Sequence, residues 1–79
     1  MGPTVFREKA YRFYFFPREE TRMRVHVMGS TGEAKFWLQP EIELAQASGV
    51  TRQELNGLHK IVEEHRDELS NHWHRHFGG

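Results

Sequence analysis

Arg22-Met23-Arg24-Val25-His26-Val27-Met28-Gly29-Ser30-Thr31-Gly32-Glu33-Ala34-Lys35-Phe36-Trp37-Leu38 is the stretch on which the fold turns. Its residue types alternate on both sides of Gly29–Gly32. Side chains of a strand point to opposite faces with period two, so the alternation predicts two strands joined by a turn. One face carries Met23, Val25, Val27, Ala34, Phe36 and Leu38. The other carries Arg22, Arg24, His26, Met28, Glu33, Lys35 and Trp37. The first face needs a core. The second, basic and aromatic, is where the sequence points to function.

Working toward the N-terminus, Tyr11–Phe16 is the strongest strand signal, because aromatic residues favour pleated surfaces. Tyr11, Phe13 and Phe15 share one face, and Arg12, Tyr14 and Phe16 the other. Arg12 marks its face as the wetter one. Pro17 ends the strand by removing a ladder donor, and Pro17–Thr21 reads as a charged loop. Pro3–Arg7, with Val5 and Phe6, reads as a further strand joined through a Glu8-Lys9-Ala10 turn.

Working toward the C-terminus, Pro40 is expected to open a short helix over Glu41–Ala47, with Ile42, Leu44 and Ala45 on its apolar side and Gly49 as its C-cap. Thr51-Arg52-Gln53-Glu54 is a capping box. It starts a second helix from Thr51 to about His76, roughly 39 Å long at 1.5 Å per residue. Leu55, Leu58, Ile61, Val62, Leu69, Trp73 and Phe77 form its apolar stripe. Gly57, inside it, costs about 1 kcal/mol relative to alanine. Strands before helices imply an α+β fold. The expected architecture is a three- or four-stranded antiparallel sheet with two helices packed on one face, the last one long. Residues 3–38 would form the sheet region and 40–77 the two-helix region of one domain spanning 1–79.

A chain of 79 residues buries about 60% of its unfolded surface, enough for one two-layer core. Cysteine is absent, which excludes a disulfide framework and a zinc–thiolate site. Eleven basic and eleven acidic residues cancel at pH 7, which argues against a generic polyanion binder while allowing a local basic patch. The longest apolar run, Phe13–Phe16, is far too short to span a membrane. A soluble cytoplasmic protein is expected, with no cofactor.

Three constellations could carry chemistry. On the open sheet face, Arg12, Tyr14, Arg22, Arg24, Lys35 and Trp37 combine charges that track phosphates with rings that stack on unpaired bases. His26 could also act there as a base toward a ribose 2′-hydroxyl, with Arg24, Arg12 or Lys35 stabilising the phosphorane, making a metal-independent ribonuclease. The plainer reading is a solvated sheet face with Trp37 and Phe16 partly covered by loops or a partner. On the last helix, His72 and His76 stand at the i, i+4 spacing of metal ligands, with His65 on the same side. The plainer reading there is histidines bordering the core. Finally, Glu43–Leu55 has the small, glycine and apolar positions of a helix-turn-helix. Ser48, the length of the second helix, and Glu54, Glu63 and Glu64 count against it and favour an αα-hairpin.

Pro3-Thr4-Val5-Phe6-Arg7, Tyr11–Phe16, Val25-His26-Val27, Glu33–Leu38 and Trp73 together resemble a small prokaryotic family, domain of unknown function 4160. The resemblance implies no activity. It implies a genomic setting beside another small protein, in the manner of a toxin–antitoxin pair. The partners in view are therefore RNA, the product of a neighbouring gene, or a second copy of the chain. Members of that family often read Pro-Pro-His before Val-His-Val. Here Arg22, Met23 and Arg24 stand in those places, which leaves His26 without that second histidine.

Overall fold

A computed structural model describes residues 4–15 and 22–77, with side chains through Arg75. The expected loop Pro17–Thr21, the strand residue Phe16, and the side chains of His76 and Phe77 lie outside the described residues. The elements are β1 (Thr4–Glu8), β2 (Tyr11–Tyr14), β3 (Arg24–Met28), β4 (Glu33–Trp37), β5 (Glu43–Ser48), α1 (Arg52–Glu64) and α2 (Arg66–Phe77). The five strands form one antiparallel sheet in the order β1-β2-β3-β4-β5. The class is α+β as expected, but the sheet has five strands rather than three or four.

The alternation of Arg22–Leu38 holds residue by residue. Met23, Val25, Val27, Ala34, Phe36 and Leu38 are all buried, whereas Arg24, His26, Met28, Lys35 and Trp37 are half-buried on the other face. Val25 pairs with Phe36 and Val27 with Ala34, so the apolar set forms continuous cross-strand rows. The β3–β4 hairpin is closed by the Gly29 N–H, which donates to the Gly32 carbonyl at 2.8 Å. The β1–β2 connection is a two-residue turn at Lys9 and Ala10, with φ of 52° and 66°. A tight hairpin requires both central residues to be left-handed, and the sheet imposes that conformation here without glycine.

Two expectations fail at the C-terminal half. Glu41–Ala47 is not a helix: most of it is β5, and it pairs with β4 through Lys35↔Gln46 and Phe36↔Leu44. The segment contains good helix formers, but two turns of isolated helix are marginal in water. The free edge of β4 offers it a full hydrogen-bonded ladder instead. The helix-turn-helix reading of Glu43–Leu55 falls with it, since the first half of that motif is a strand, and so does the αα-hairpin. The sheet therefore extends through Ser48, well past the expected boundary at Leu38. Pro40 follows a cis peptide in the β4–β5 connection, and Gly49 serves the β5–α1 turn rather than a helix end.

The expected long helix is two helices. The capping box is present: the Thr51 hydroxyl accepts from the Glu54 N–H at 3.1 Å, and the Glu54 carboxylate accepts from the Thr51 N–H at 2.8 Å. Tyr11 on β2 closes the same box, its hydroxyl donating to Glu54 Oε2 at 2.6 Å. The chain then breaks at His65 (φ −104°, ψ 16°). Backbone bonds persist on either side, from the His65 N–H to the Ile61 carbonyl and from the Leu69 N–H to the His65 carbonyl. Leu58, Ile61, Val62, Leu69 and Trp73 of the expected stripe are buried against the sheet, and Trp73 meets Phe15 edge-on at 5.3 Å. No helix among the described residues is long and apolar enough to cross a membrane.

His65 marks a contact that no periodicity announced. Its ring stacks on Phe6 of β1 at 4.2 Å, its Nδ1 lies 2.7 Å from Glu68 of α2, and its Nε2 lies 3.1 Å from Glu8 of β1. The hydrogen bond to Glu68, with support from Glu8, raises the imidazole above its ordinary 6.5, and partial burial opposes this. A raised histidine contributes stability in full below its unfolded value. That contribution is lost as pH rises through the folded value. Thermal stability is therefore expected to fall as pH rises from about 6.5 through the raised folded value, by less than about 1 kcal/mol because the pair is partly exposed. Melting curves of wild type and His65→Gln across that range check this. A slope unchanged in the variant would remove His65 as its source.

Candidate functional site

Alternation and register together build one surface on the side of the sheet away from the helices. Thr4↔Tyr14, Tyr14↔His26, His26↔Lys35 and Lys35↔Gln46 are successive pairs. They form a single row across all five strands. A second row joins Arg24 to Trp37 and Trp37 to Glu43, and a third runs Arg12, Met28, Glu33 and Ser48. The face thus places the ribonuclease candidates His26, Arg24 and Lys35 together: Lys35 stands directly across the ladder from His26, and Arg24 lies two residues along its strand.

Trp37 is the centre of the positive charge. The guanidinium carbons of Arg22 and Arg24 lie 4.2 and 5.0 Å from its ring centroid, and the Lys35 ammonium lies 5.9 Å away. Arg22 precedes β3, and its Nε donates to the Gln39 carbonyl at 2.9 Å, which holds it at the rim. Cation–π attraction of this kind gathers the charges over one ring. The acidic residues of this face among the described residues are Glu33 and Glu43, both exposed.

Tyr14 and His26 form the second aromatic group, stacked at 5.4 Å with 26° between ring planes. Arg12 lies 4.5 Å from the Tyr14 ring, and its Nε donates to the Thr4 hydroxyl at 2.7 Å. Tyr14 is buried although it belongs to the wetter face, because Arg12, His26 and the β1 edge cover it. Burial is the main cause that raises its hydroxyl above 10.0; Glu33 adds to this and Arg12 opposes it. At neutral pH it is a hydrogen-bond donor, not a base.

Between this group and β5 lies a hollow of about 240 Å³, lined by Tyr14, His26, Glu33, Lys35, Gln46 and Ser48 together with two alanines. Gln46 and Ser48 could not be assigned to it from the sequence, since Glu41–Ala47 reads as a helix there. The one available signal is the shortness of the segment between Pro40 and Gly49. His72 and His74, the histidines of α2 whose side chains are described, are not part of this surface. His72 is half-buried on the helix and the side chain of His76 lies outside the described residues. Among the described residues no three potential ligands gather into a metal site.

A family model described as domain of unknown function (DUF4160) matches residues 10–74. No curated protein matches the chain, and neither does any solved structure.

Proposed function

We propose, for a chain that belongs to the domain-of-unknown-function family DUF4160, a role in binding single-stranded RNA through the open sheet face. The observation that carries this reading is the Trp37 platform. One half-buried indole is ringed by three cations and lies on the same face as the Tyr14–His26 stack. Aromatic faces accept unpaired bases of any sequence, and nearby Arg and Lys neutralise the backbone. The overall charge is zero and Glu43 borders the platform, so binding is expected to be moderate and strongly salt-dependent.

Fluorescence anisotropy with a labelled RNA of about 12 nucleotides, within the span of such platforms, tests this. Trp37→Ala is expected to weaken binding by about 5- to 150-fold, the loss of one stacked base. Arg24→Gln should lower the salt slope by about one unit. A wild-type protein that ignores RNA at low salt, or a Trp37→Ala variant that binds equally well, would sink the reading. The same mixtures run on a gel report cleavage. A role for His26 as a base requires cleavage that disappears in His26→Ala.

A second reading is a protein contact, which would suit the paired-gene setting of a toxin–antitoxin component. It is favoured by the β5 edge, where Leu44 is 45% exposed on a strand whose outer side has no neighbour in the sheet among the described residues. An exposed edge is a template for a partner strand. Light scattering of the protein alone and mixed with the product of the adjacent gene separates the two readings.

A further inference from the structure

We infer that the hollow between β3 and β5 selects a guanine base, with Glu33 reading its donor edge and Lys35 its acceptor edge; this rests on the RNA-binding reading above. The size of the site comes first. A hollow of about 240 Å³ lies below the range of drug-sized pockets and suits one base rather than a strand or a folded partner.

Its charges sort the possible occupants. Glu33 and Lys35 both line the hollow and stand two residues apart on β4, so they share a face at roughly 7 Å spacing. A carboxylate inside the hollow repels a phosphate, so the backbone belongs outside, over Arg22, Arg24 and Trp37. What enters should be neutral, with donors for Glu33 and acceptors for Lys35. A carboxylate accepts two parallel donors at once. On guanine, N1–H and the N2 amino group lie side by side, and O6 and N7 are acceptors that a lysine can reach. Adenine, cytosine and uracil each place an acceptor beside their donor. The second carboxylate oxygen would then face a lone pair. Stacked Tyr14 and His26 provide an aromatic wall, and Gln46 and Ser48 close the β5 side with groups that both donate and accept.

The test compares four RNAs of equal length: an all-uridine strand and the same strand with one central G, A or C. Wild type is expected to bind the strand with G about 5- to 150-fold more tightly than the others, the range of one good bidentate contact. Glu33→Gln is expected to reduce that preference to within about threefold, since a neutral amide offers a single acceptor. Glu33 is exposed, so the variant should fold, and its melting temperature verifies this. Equal binding of all four strands overturns the guanine assignment while leaving RNA binding in place. A preference for G that persists in Glu33→Gln overturns the role of Glu33. Failure to bind any of the four overturns the RNA reading, and this inference with it.

Discussion

Phe36→Ala is expected to destabilise the protein by about 3–5 kcal/mol and to lower its urea midpoint accordingly. Natural domains are stable by roughly 0.05–0.15 kcal/mol per residue, or about 4–12 kcal/mol for a chain of this size. The substitution would remove about a quarter or more of that. The cost is high because of where the ring sits. Phe36 is 1% exposed, one residue from the end of β4, paired with Val25 on one side and Leu44 on the other. Its ring lies 5.9 Å from that of His59 on α1, and His59 Nε2 is 3.1 Å from the Ile42 carbonyl just before β5. A cavity there would loosen β4, β5 and α1 together. Trp37→Ala removes the next ring along the chain, on the opposite and half-buried face, and should cost much less. Urea denaturation followed by circular dichroism gives both values. Near-equal midpoints for the two variants would contradict the division of faces.

Gly49→Ala is expected to cost roughly 2–5 kcal/mol, from two separate causes. Gly49 has φ of +72°, and a side chain in that region costs about 1–2 kcal/mol. An added Cβ would also lie 2.4 Å from the Thr31 carbonyl oxygen and 3.1 Å from the Gly32 Cα. Both are backbone atoms, so the β3–β4 turn must move, at a further 1–3 kcal/mol or so. Gly32→Ala meets the same crossing from the other side, with its Cβ 2.3 Å from the Ser48 carbonyl oxygen. The two turns meet backbone to backbone at Gly32 and Gly49, and the Thr31 hydroxyl donates to the Gly49 carbonyl at 3.5 Å. The double variant should therefore cost less than the sum of the singles, because one displacement relieves both. Gly49→Asn separates the causes: asparagine tolerates the left-handed region but carries the same Cβ. If it restores wild-type stability, the crossing is less tight than these distances require.

Much of the sheet was legible because burial and alternation coincide there. The hairpin Arg22–Leu38 has one face wholly apolar, and a slip of one residue would turn that face to water. The capping box was legible for a similar reason, since its four residues satisfy one another locally. Glu41–Ala47 was not. Its residues are helix formers, and what makes it a strand is the unpaired edge of β4, whose paired residues lie six or more positions away in sequence. The break at His65 was not legible either, and the contact found there, His65 with Glu8, joins residues 57 positions apart.

The same division runs through the candidate site. The sequence alone determined which residues share the open face of β3 and β4: Arg24, His26, Lys35 and Trp37 follow from period two and from an apolar set that must face the core. The three cations gathered over Trp37, the Tyr14–His26 stack and the hollow closed by Gln46 and Ser48 were decided only by the tertiary structure. Alternation assigns a side chain to a face, but it says nothing of the neighbours across the ladder. Those neighbours are set by strand order and register, which come from long-range pairing and from the packing of α1 and α2 beneath the sheet.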